Sequence, residues 1–461
     1  MNIQLAVLFF FIYVAIVILI GIISSRKETE EDFMIAERKV GGVQLAATMS
    51  AGFFDGATLA IYLAYVYQFG LSALWLFVAA IPGYLILKKY AWRIKQKADE
   101  YKIYSMPEYF YKIFGKKNGL MFSFLLVVQF FLLLIVNLII SGKVLSSIFP
   151  LPYYISVAIG GLVVLTYLLL AGFKAVIRTD FFQLIIMFLM SISVGAFLLG
   201  KTHIPAADLN IAGMGLGNIA GFLILGGLSV VVAPDLWQRI FATKNEKSLK
   251  RGLSYPMLIL PALGIIISIV GLATKQFFPH IMPENALIAG FSQLPPFGLK
   301  EFGLVLLYAV SLSSSDTITF VVSSIFTRDF KNYSSRHSES SMRKLTRFFM
   351  ISFIIIAALV AIFYRNILAL GFSLGSLSLA LFPVVISSFY WKLKKQAVFW
   401  SLILAFVSVL ILFITNSLSP STAVISLPVA LFALLIFQKI FKSESVIVNV
   451  RPLDKTLKNP I

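Results

Sequence analysis

Residues 304–331 read LVLLYAVSLSSSDTITFVVSSIFTRDFK, and this stretch organises the rest of the chain. It is long and apolar enough to cross a membrane as a helix, yet its middle, SLSSSDT, carries hydroxyls and a carboxylate. If the helix ends near Thr327, Asp316 lies about 16 Å from that end, close to the midplane of a ~30 Å hydrocarbon core. The stretch therefore predicts a transmembrane helix with a polar centre.

The polar side chains of this helix gather on one face. At about 100° per residue, Val310, Ser313, Ser314 and Thr317 share one arc about 100° wide, and Asp316 flanks it. Hard oxygen ligands at this depth suit a small cation such as Na⁺. The alternative is that the hydroxyls only bond to their own helix or to neighbouring helices. The carboxylate favours the ion site, because burying it without a function is costly.

The composition defines the class of protein. Of 461 residues, 59% are hydrophobic and 13% are charged, and the mean hydropathy is +0.93. A soluble chain needs a more charged surface, so we predict an all-α polytopic protein whose partner is the lipid bilayer. The absence of cysteine excludes disulfides and thiolate chemistry. The net charge of +19 is better explained by charged loops than by nucleic acid binding, which we do not expect.

Hydropathy predicts thirteen transmembrane helices. They cover residues 4–24, 42–68, 70–90, 119–142, 152–171, 180–200, 217–242, 253–274, 301–327, 347–364, 367–391, 397–416 and 421–441. With these spans, all but five of the 39 Lys and Arg residues fall on one side of the membrane. The five are Lys143, Lys201, Lys275, Lys300 and Arg365. The positive-inside rule then predicts an inner or plasma membrane protein with its N-terminus outside and its C-terminus in the cytoplasm.

Among the acidic residues within or at the edge of predicted spans, three are site candidates, and no basic residue is expected in the middle of a span to pair with them. They are Asp55, Asp180 and Asp316. Asp180 lies where the sixth span begins, so a helix-capping role is an alternative to a site role. Asp55 lies between Gly52 and Gly56, where the helix is expected to unwind.

A second weak point lies in the seventh span, at Gly226-Gly227 and Pro234. The second and seventh spans are five apart, as two inverted five-helix repeats would place them. This arrangement predicts four regions. They are an N-terminal extra helix and cytoplasmic loop (1–41), a first repeat (42–200), a second repeat with outer loops (201–391), and two C-terminal helices with a short tail (392–461).

Catalytic constellations are not evident in the sequence. His203, His280 and His337 all map to loops, and we find no Ser-His-Asp set, HExxH motif, P-loop or Rossmann glycine pattern. We therefore do not expect an enzyme.

Six segments in chain order resemble the sodium:solute symporter family. They are EEDFMIAERKVGG, ATMSAGFFDGATLAIYLAYVYQFG, GFKAVIRTDFFQLIIM, APDLWQRIFATKNEKSLKRG, SLSSSDTITFVVSSIFTRDFKN and LGSLSLALFPVVISSFYWK, between about residues 32 and 391. The resemblance implies a leucine-transporter-like fold with broken first and sixth core helices. It also implies thirteen helices with the N-terminus outside. The sequence departs from the family pattern with Arg178 in place of Trp, Asp55 in place of an apolar residue, and Asp316 in place of a small polar residue.

The resemblance also implies site residues. The main Na⁺ site would use backbone carbonyls of Ala46, Met49 and Val310 and hydroxyls of Ser313 and Ser314. A second cation would involve Asp180, Asp316 and Thr317. Candidate solute contacts are Thr48, Ser50, Asp55, Gly227, Ser229 and Ser373.

These expectations define a secondary transporter that imports a small polar organic solute with Na⁺ as the coupling ion, by alternating access and as a monomer. The alternatives are an H⁺-coupled symporter of the same fold, with Asp316 or Asp180 as proton carrier, or a channel or sensor that kept the fold. For Asp55 three roles stay open: bonding free N–H groups at the helix break, joining the ion sites, or meeting a positive group on the solute.

Overall fold

The computed structural model describes residues 2–24, 35–333 and 339–441, which are helical without a β-strand. The first half of the described chain forms α1 (Ile3–Ser24), α2 (Gly42–Phe53), α3 (Gly56–Phe69), α4 (Trp75–Val78), α5 (Ala80–Glu100), α6 (Met106–Phe114), α7 (Lys116–Ile148) and α8 (Tyr153–Leu199). The second half forms α9 (Leu216–Val232), α10 (Pro234–Ala242), α11 (Glu246–Ser254), α12 (Pro256–Phe277), α13 (Ala286–Ser292), α14 (Leu299–Tyr333), α15 (Glu339–Phe363), α16 (Ile367–Ser387), α17 (Lys395–Ile414), α18 (Pro420–Ala423) and α19 (Ser426–Ile440). Short 3₁₀ turns occur at Ala36–Arg38, Gly70–Leu74, Ala206–Leu209 and Pro283–Asn285.

Eleven helices among the described residues are long and apolar enough to cross a membrane, or up to twelve when a bent pair counts as one span. The predicted number of thirteen stays a prediction. One run, Gly56–Glu100, covers 45 residues around the 3₁₀ turn Gly70–Leu74, where the sequence predicts two separate spans. The segment predicted as a loop between the fifth and sixth spans is helical, because residues 153–199 form α8, in which Tyr153–Leu170 and Phe173–Leu199 count as two of the eleven spans.

Helix α14 is the centre of the bundle, and it confirms the span predicted from residues 304–331. Every residue from 303 to 325 is buried, and α14 packs against α2, α7, α8 and α10. The outer helices instead present apolar side chains outward, including Leu8, Phe363, Ile414 and Phe432. A helix that is apolar on its outer face belongs against lipid, whereas polar groups at membrane depth must be enclosed by protein.

The first helix break lies where the sequence predicts unwinding. Helix α2 ends at Phe53 and α3 begins at Gly56. Asp55 caps α3, because its Oδ1 accepts a hydrogen bond from the Thr58 N–H at 2.5 Å. The N–H of Gly56 donates to Oδ1 of Asn137 in α7 at 3.2 Å. Side-chain oxygens thus replace the backbone partners that the break removes.

The second break lies at Pro234 and not at the glycine pair. Helices α9 and α10 meet at a bend of 43° at Ala233, where Pro234 cannot donate a backbone hydrogen bond. Gly226 and Gly227 stay helical. A Cβ at either position would lie 3.0 Å from a backbone oxygen, that of Leu76 or Ala79, so the pair serves close helix packing.

Candidate ion centre and solute cavity

A buried arginine contradicts the expectation that no basic residue reaches the acidic ones. Arg239, predicted to lie in a cytoplasmic segment, is fully buried in α10 and forms ion pairs with Asp180 of α8 and Asp235 of α10. Its position after a proline break, four residues from Asp235, was the sequence signal for an internal pair. Hydropathy places the end of the seventh predicted span near Arg239, so the sequence alone favoured a cytoplasmic position for this residue.

Five residues form what we call the arginine centre: Thr48, Asp180, Asp235, Arg239 and Ser313. The guanidinium donates from Nη2 to Asp180 Oδ2 at 2.9 Å, from Nη1 to Asp235 Oδ2 at 2.6 Å, and from Nε to Thr48 Oγ1 at 2.8 Å. The Thr48 hydroxyl donates to Asp180 Oδ2 at 2.5 Å, and the Ser313 hydroxyl donates to Asp180 Oδ1 at 2.8 Å. Four helices, α2, α8, α10 and α14, therefore meet at one carboxylate.

The position of Asp180 excludes the capping alternative. Asp180 lies well inside the continuous helix α8, so it cannot cap a helix start. Its two oxygens accept from α2, α10 and α14 instead. Asp180 is thus a tertiary contact point, and a carboxylate at this depth is tolerated because every bond it makes is charge-assisted or to a hydroxyl.

The residues predicted for the main Na⁺ site lie on the facing helices α2 and α14, and all are buried. They are Ala46, Met49, Val310, Ser313 and Ser314. The Ser314 hydroxyl donates to the Val310 carbonyl at 3.3 Å. The Tyr84 hydroxyl donates to the Met49 carbonyl at 2.9 Å, a contact not predicted from the sequence. Carbonyl and hydroxyl oxygens of this kind are the ligand set that a hard cation takes.

Asp316 lies on a neighbouring side of α14. It accepts hydrogen bonds from the hydroxyls of Tyr167 at 2.6 Å and Thr179 at 3.4 Å, and from the Thr317 N–H at 2.5 Å. The Thr317 hydroxyl accepts from Arg239 at 3.4 Å. The three residues predicted to bind a second cation therefore have different partners. Asp180 and Thr317 contact Arg239, whereas Asp316 contacts hydroxyl donors.

A cavity of about 160 Å³ lies between the two helix breaks. Its polar lining includes Asp55, Gln129, Ser229, Asp235 and Ser378, and no Lys, Arg or His among the described residues lines it. Four phenylalanine rings complete the wall: Phe53, Phe130, Phe222 and Phe372. An apolar pocket with a few convergent polar groups is the usual form of a small-molecule site.

Two of the six predicted solute contacts, Asp55 and Ser229, line this cavity. The other four do not. Thr48 belongs to the arginine centre, and Gly227 packs near the backbone of Ala79. Ser373 bonds back to its own helix, whereas the buried Ser50 Oγ has no hydrogen-bond partner.

Gln129 was not predicted from the sequence, although it is a lone amide inside the apolar run FLLVVQFFLLLIV. Its Nε2 donates to Ser378 Oγ at 2.8 Å, but its Oε1 is buried without a hydrogen-bond partner, and so is Ser229 Oγ. An unpaired buried acceptor is costly, and this oxygen is therefore available to accept a hydrogen bond from a donor that enters the cavity.

The fold and this site define a multi-pass membrane transporter with a solute cavity between broken helices. A sequence model of the sodium:solute symporter family matches residues 33–405, and the chain belongs to that family. It is therefore not an enzyme but a Na⁺-coupled symporter that imports a small organic solute.

Two bacterial relatives match over most of their length. The osmoregulated proline transporter OpuE of Bacillus subtilis (strain 168) is 27% identical over 90% of this chain and 89% of its own. A sodium/proline symporter of Staphylococcus aureus (strain Newman) is 27% identical over 83% of this chain and 80% of its own.

Two solved structures support the fold. A Na⁺-coupled sialic acid symporter, in a substrate-bound outward-open state, superposes with a TM-score of 0.82 at 17% identity, covering 96% of this chain and 99% of that one. A nucleobase-cation-symport-1 family transporter gives a TM-score of 0.58 at 14% identity, covering 88% and 92%. These likenesses confirm the all-α, leucine-transporter-like fold class predicted from the sequence, whereas the two inverted repeats stay a prediction.

Proposed function

We propose that the coupling Na⁺ binds between α2 and α14, at the carbonyls of Ala46, Met49 and Val310 and the hydroxyls of Ser313 and Ser314. Asp180 supports this assignment, because its carboxylate accepts from Thr48 of α2 and from Ser313 of α14 and so holds the two helices together. A Na⁺ beside Ser313 would gain a nearby negative charge in a water-poor interior, where that attraction is strong.

The cavity is the solute site in this proposal, and the solute carries an ammonium group. The single observation behind it is that Asp55 lines the cavity with no ion-pair partner among the described residues. A buried carboxylate without a counter-charge is costly, and a ligand ammonium supplies one. The free acceptor on Gln129 and the phenylalanine rings also suit a cationic N–H donor, through a hydrogen bond and cation–π contacts.

The relatives named as proline transporters agree with this class of solute, since proline carries a secondary ammonium. The capping role of Asp55 is compatible with it, because a carboxylate has acceptor sites beyond the one that Thr58 occupies.

Alternating access would use the two helix breaks. Na⁺ at α2 and α14 would favour the form that binds solute from outside, and its release inward would let the helices rearrange. This scheme keeps the predicted orientation, with the N-terminus outside and the C-terminus in the cytoplasm, and a monomeric working unit.

A thermal-shift screen of the purified protein tests the solute class. Proline and its N-acetyl derivative form a matched pair, because acetylation removes the positive charge and keeps the ring and the carboxylate. We expect amino compounds to raise the melting temperature more in NaCl than in KCl, and their N-acetyl derivatives to leave it unchanged.

Uptake of the best compound into proteoliposomes should then follow a Na⁺ gradient and not a pH gradient. Stabilisation by neutral sugars or by anions that lack an ammonium group, with no response to amino compounds, would contradict the solute class. Uptake driven by a pH gradient alone would contradict the Na⁺ site.

A further inference from the structure

Arg239 brings a fixed positive charge to the predicted ion site. It contacts Asp180, Asp235, Thr48 and Thr317, which belong to four different helices. Asp180 and Asp235 carry two negative charges and Arg239 one positive charge, so these three residues together leave one uncompensated negative charge. Asp316 stays outside this count, because its carboxylate does not contact Arg239 and accepts from Tyr167, Thr179 and the Thr317 N–H instead. Arginine suits this position, because it stays protonated and its guanidinium is more weakly hydrated than an ammonium.

The two oxygens of Asp180 serve different partners. Oδ2 accepts from Arg239 and Thr48, whereas Oδ1 accepts from Ser313, a predicted Na⁺ ligand. The guanidinium thus lies on one side of the carboxylate and the predicted Na⁺ position on the other. Asp180 and Thr317, expected from the sequence to hold a second cation, both contact the guanidinium.

We propose that the guanidinium of Arg239 is the resident second cation of this transporter, so that the ion centre binds a single Na⁺, beside Ser313. The inference rests on the proposed Na⁺ site. The arginine neutralises one of the two carboxylates, and the remaining negative charge is balanced by the one transported ion. A further Na⁺ would meet the guanidinium at Asp180 and be repelled by it.

The same arginine connects the ion site to the solute cavity. Asp235 lines the cavity, Arg239 bonds Asp235 to Asp180, and Asp180 bonds to Ser313. A shift of Asp235 when the solute binds therefore alters the charge balance at Asp180. This continuous set of contacts gives Na⁺ and solute a physical route to influence each other's affinity.

The number of Na⁺ ions bound tests the proposal without knowledge of the solute. Radioactive Na⁺ is titrated against the purified full-length protein, with K⁺ as the inert counter-ion, and bound ions are counted per molecule. The wild type should bind one Na⁺ with a Hill coefficient near one.

Three variants separate an electrostatic role from a structural one. Arg239→Gln removes the resident charge, and we expect two bound Na⁺ ions and a Hill coefficient above one. Arg239→Gln with Asp235→Asn restores the net charge of the centre, and the count should return to one. Arg239→Lys keeps the positive charge but loses the planar guanidinium with its several N–H donors. This variant should also bind one Na⁺, with weaker affinity.

The outcomes are distinct. Two Na⁺ ions bound to the wild type, or one bound to Arg239→Gln that elutes as a single folded species, overturns the resident cation. If Arg239→Gln does not fold, the wild-type count and the charge-balanced double variant decide, and two ions on either would contradict the proposal. No Na⁺ binding by the folded wild type would instead contradict the Na⁺ site itself.

Discussion

Two buried aspartates of this protein, Asp180 and Asp55, have opposite surroundings. Asp180 accepts bonds from Arg239, Thr48 and Ser313 and carries its counter-charge within the protein. Asp55 caps α3, lines the cavity and has no ion-pair partner in the described part of the chain. A transporter can keep one carboxylate permanently balanced and leave another to be balanced by its cargo. Arg239 thus offsets the charge of Asp180 from within the protein, whereas the charge of Asp55 has no such partner among the described residues.

The two helix breaks of the molecule differ in the groups that stabilise them. The first break is closed by side chains, through Asp55 and Asn137. The second relies on Pro234 and on the tight ion pair between Asp235 and Arg239, one turn into α10. Changes at the first break should therefore affect the solute, and changes at the second should affect both ligands.

The largest effect is expected at Asp55. Asp55→Asn should weaken solute binding by roughly 2–5 kcal/mol, because a buried charge pair loses one member, while Na⁺ affinity changes little. Asp55→Glu should rescue binding poorly, since the added methylene moves the carboxylate. Solute and Na⁺ affinities measured by thermal shift or calorimetry give the comparison.

Asparagine is the matched replacement at this position, because it caps a helix as well as aspartate does. Asp55→Ala removes both the cap and the charge and should lose about 1 kcal/mol more in stability than Asp55→Asn. If Asp55→Asn binds solute as the wild type does, then Asp55 has only its capping role.

Loss of a Na⁺ ligand should have the next largest effect. Ser313→Ala and Ser314→Ala should each raise the Na⁺ concentration for half-maximal uptake, by an amount equivalent to about 1.5–3 kcal/mol, as for other bonds to charged groups. The double variant should lose more than either single one, because both hydroxyls serve one ion.

Ser315→Ala is the control for this pair. Ser315 is buried in the same helix, but its hydroxyl donates to the Ser311 carbonyl at 2.7 Å. The Na⁺ dependence of uptake by Ser315→Ala should therefore match that of the wild type. Equal Na⁺ dependence in Ser313→Ala, Ser314→Ala and the wild type, at normal expression, would rule out the proposed site.

The smallest effect is expected at Gly52, which lies between the two regions. A Cβ there would lie 3.0 Å from Asp235 Oδ2 and 3.5 Å from Arg239 Cζ. Gly52→Ala should displace the ion pair slightly, at a cost of about 1 kcal/mol, and shift the affinities for Na⁺ and solute together.

Gly217→Ala is the matched helical glycine, since its Cβ would meet Ser421 at an ordinary 3.8 Å. It should change neither affinity. Because Gly52 also lines the cavity, the Na⁺ affinity is the informative measurement, and a Gly52→Ala variant that leaves it unchanged would show that Asp235 and Arg239 do not connect the regions.

The sequence alone determined the class of protein, the central helix and the first break. Length, hydropathy and the polar segment SLSSSDT suffice for these, because the bilayer requires apolar helices and makes any buried acid conspicuous. The same reasoning offered two places for the second break, Gly226-Gly227 and Pro234, because both glycine and proline weaken a helix in isolation. Close packing against the backbone of Leu76 and Ala79 stabilises those glycines as helix, and the chain bends at Pro234 instead.

Only the tertiary structure decided the pairing of charges and the lining of the cavity. Arg239 lies at the end of a predicted span, where hydropathy cannot distinguish a loop residue from a buried one. Its partners Thr48, Asp180 and Thr317 lie 59 to 191 residues away in the chain. Gln129 likewise reaches Ser378 across 249 residues. Contacts of this kind depend on how helices cross in three dimensions, and the spacing of residues along one helix carries no information about them.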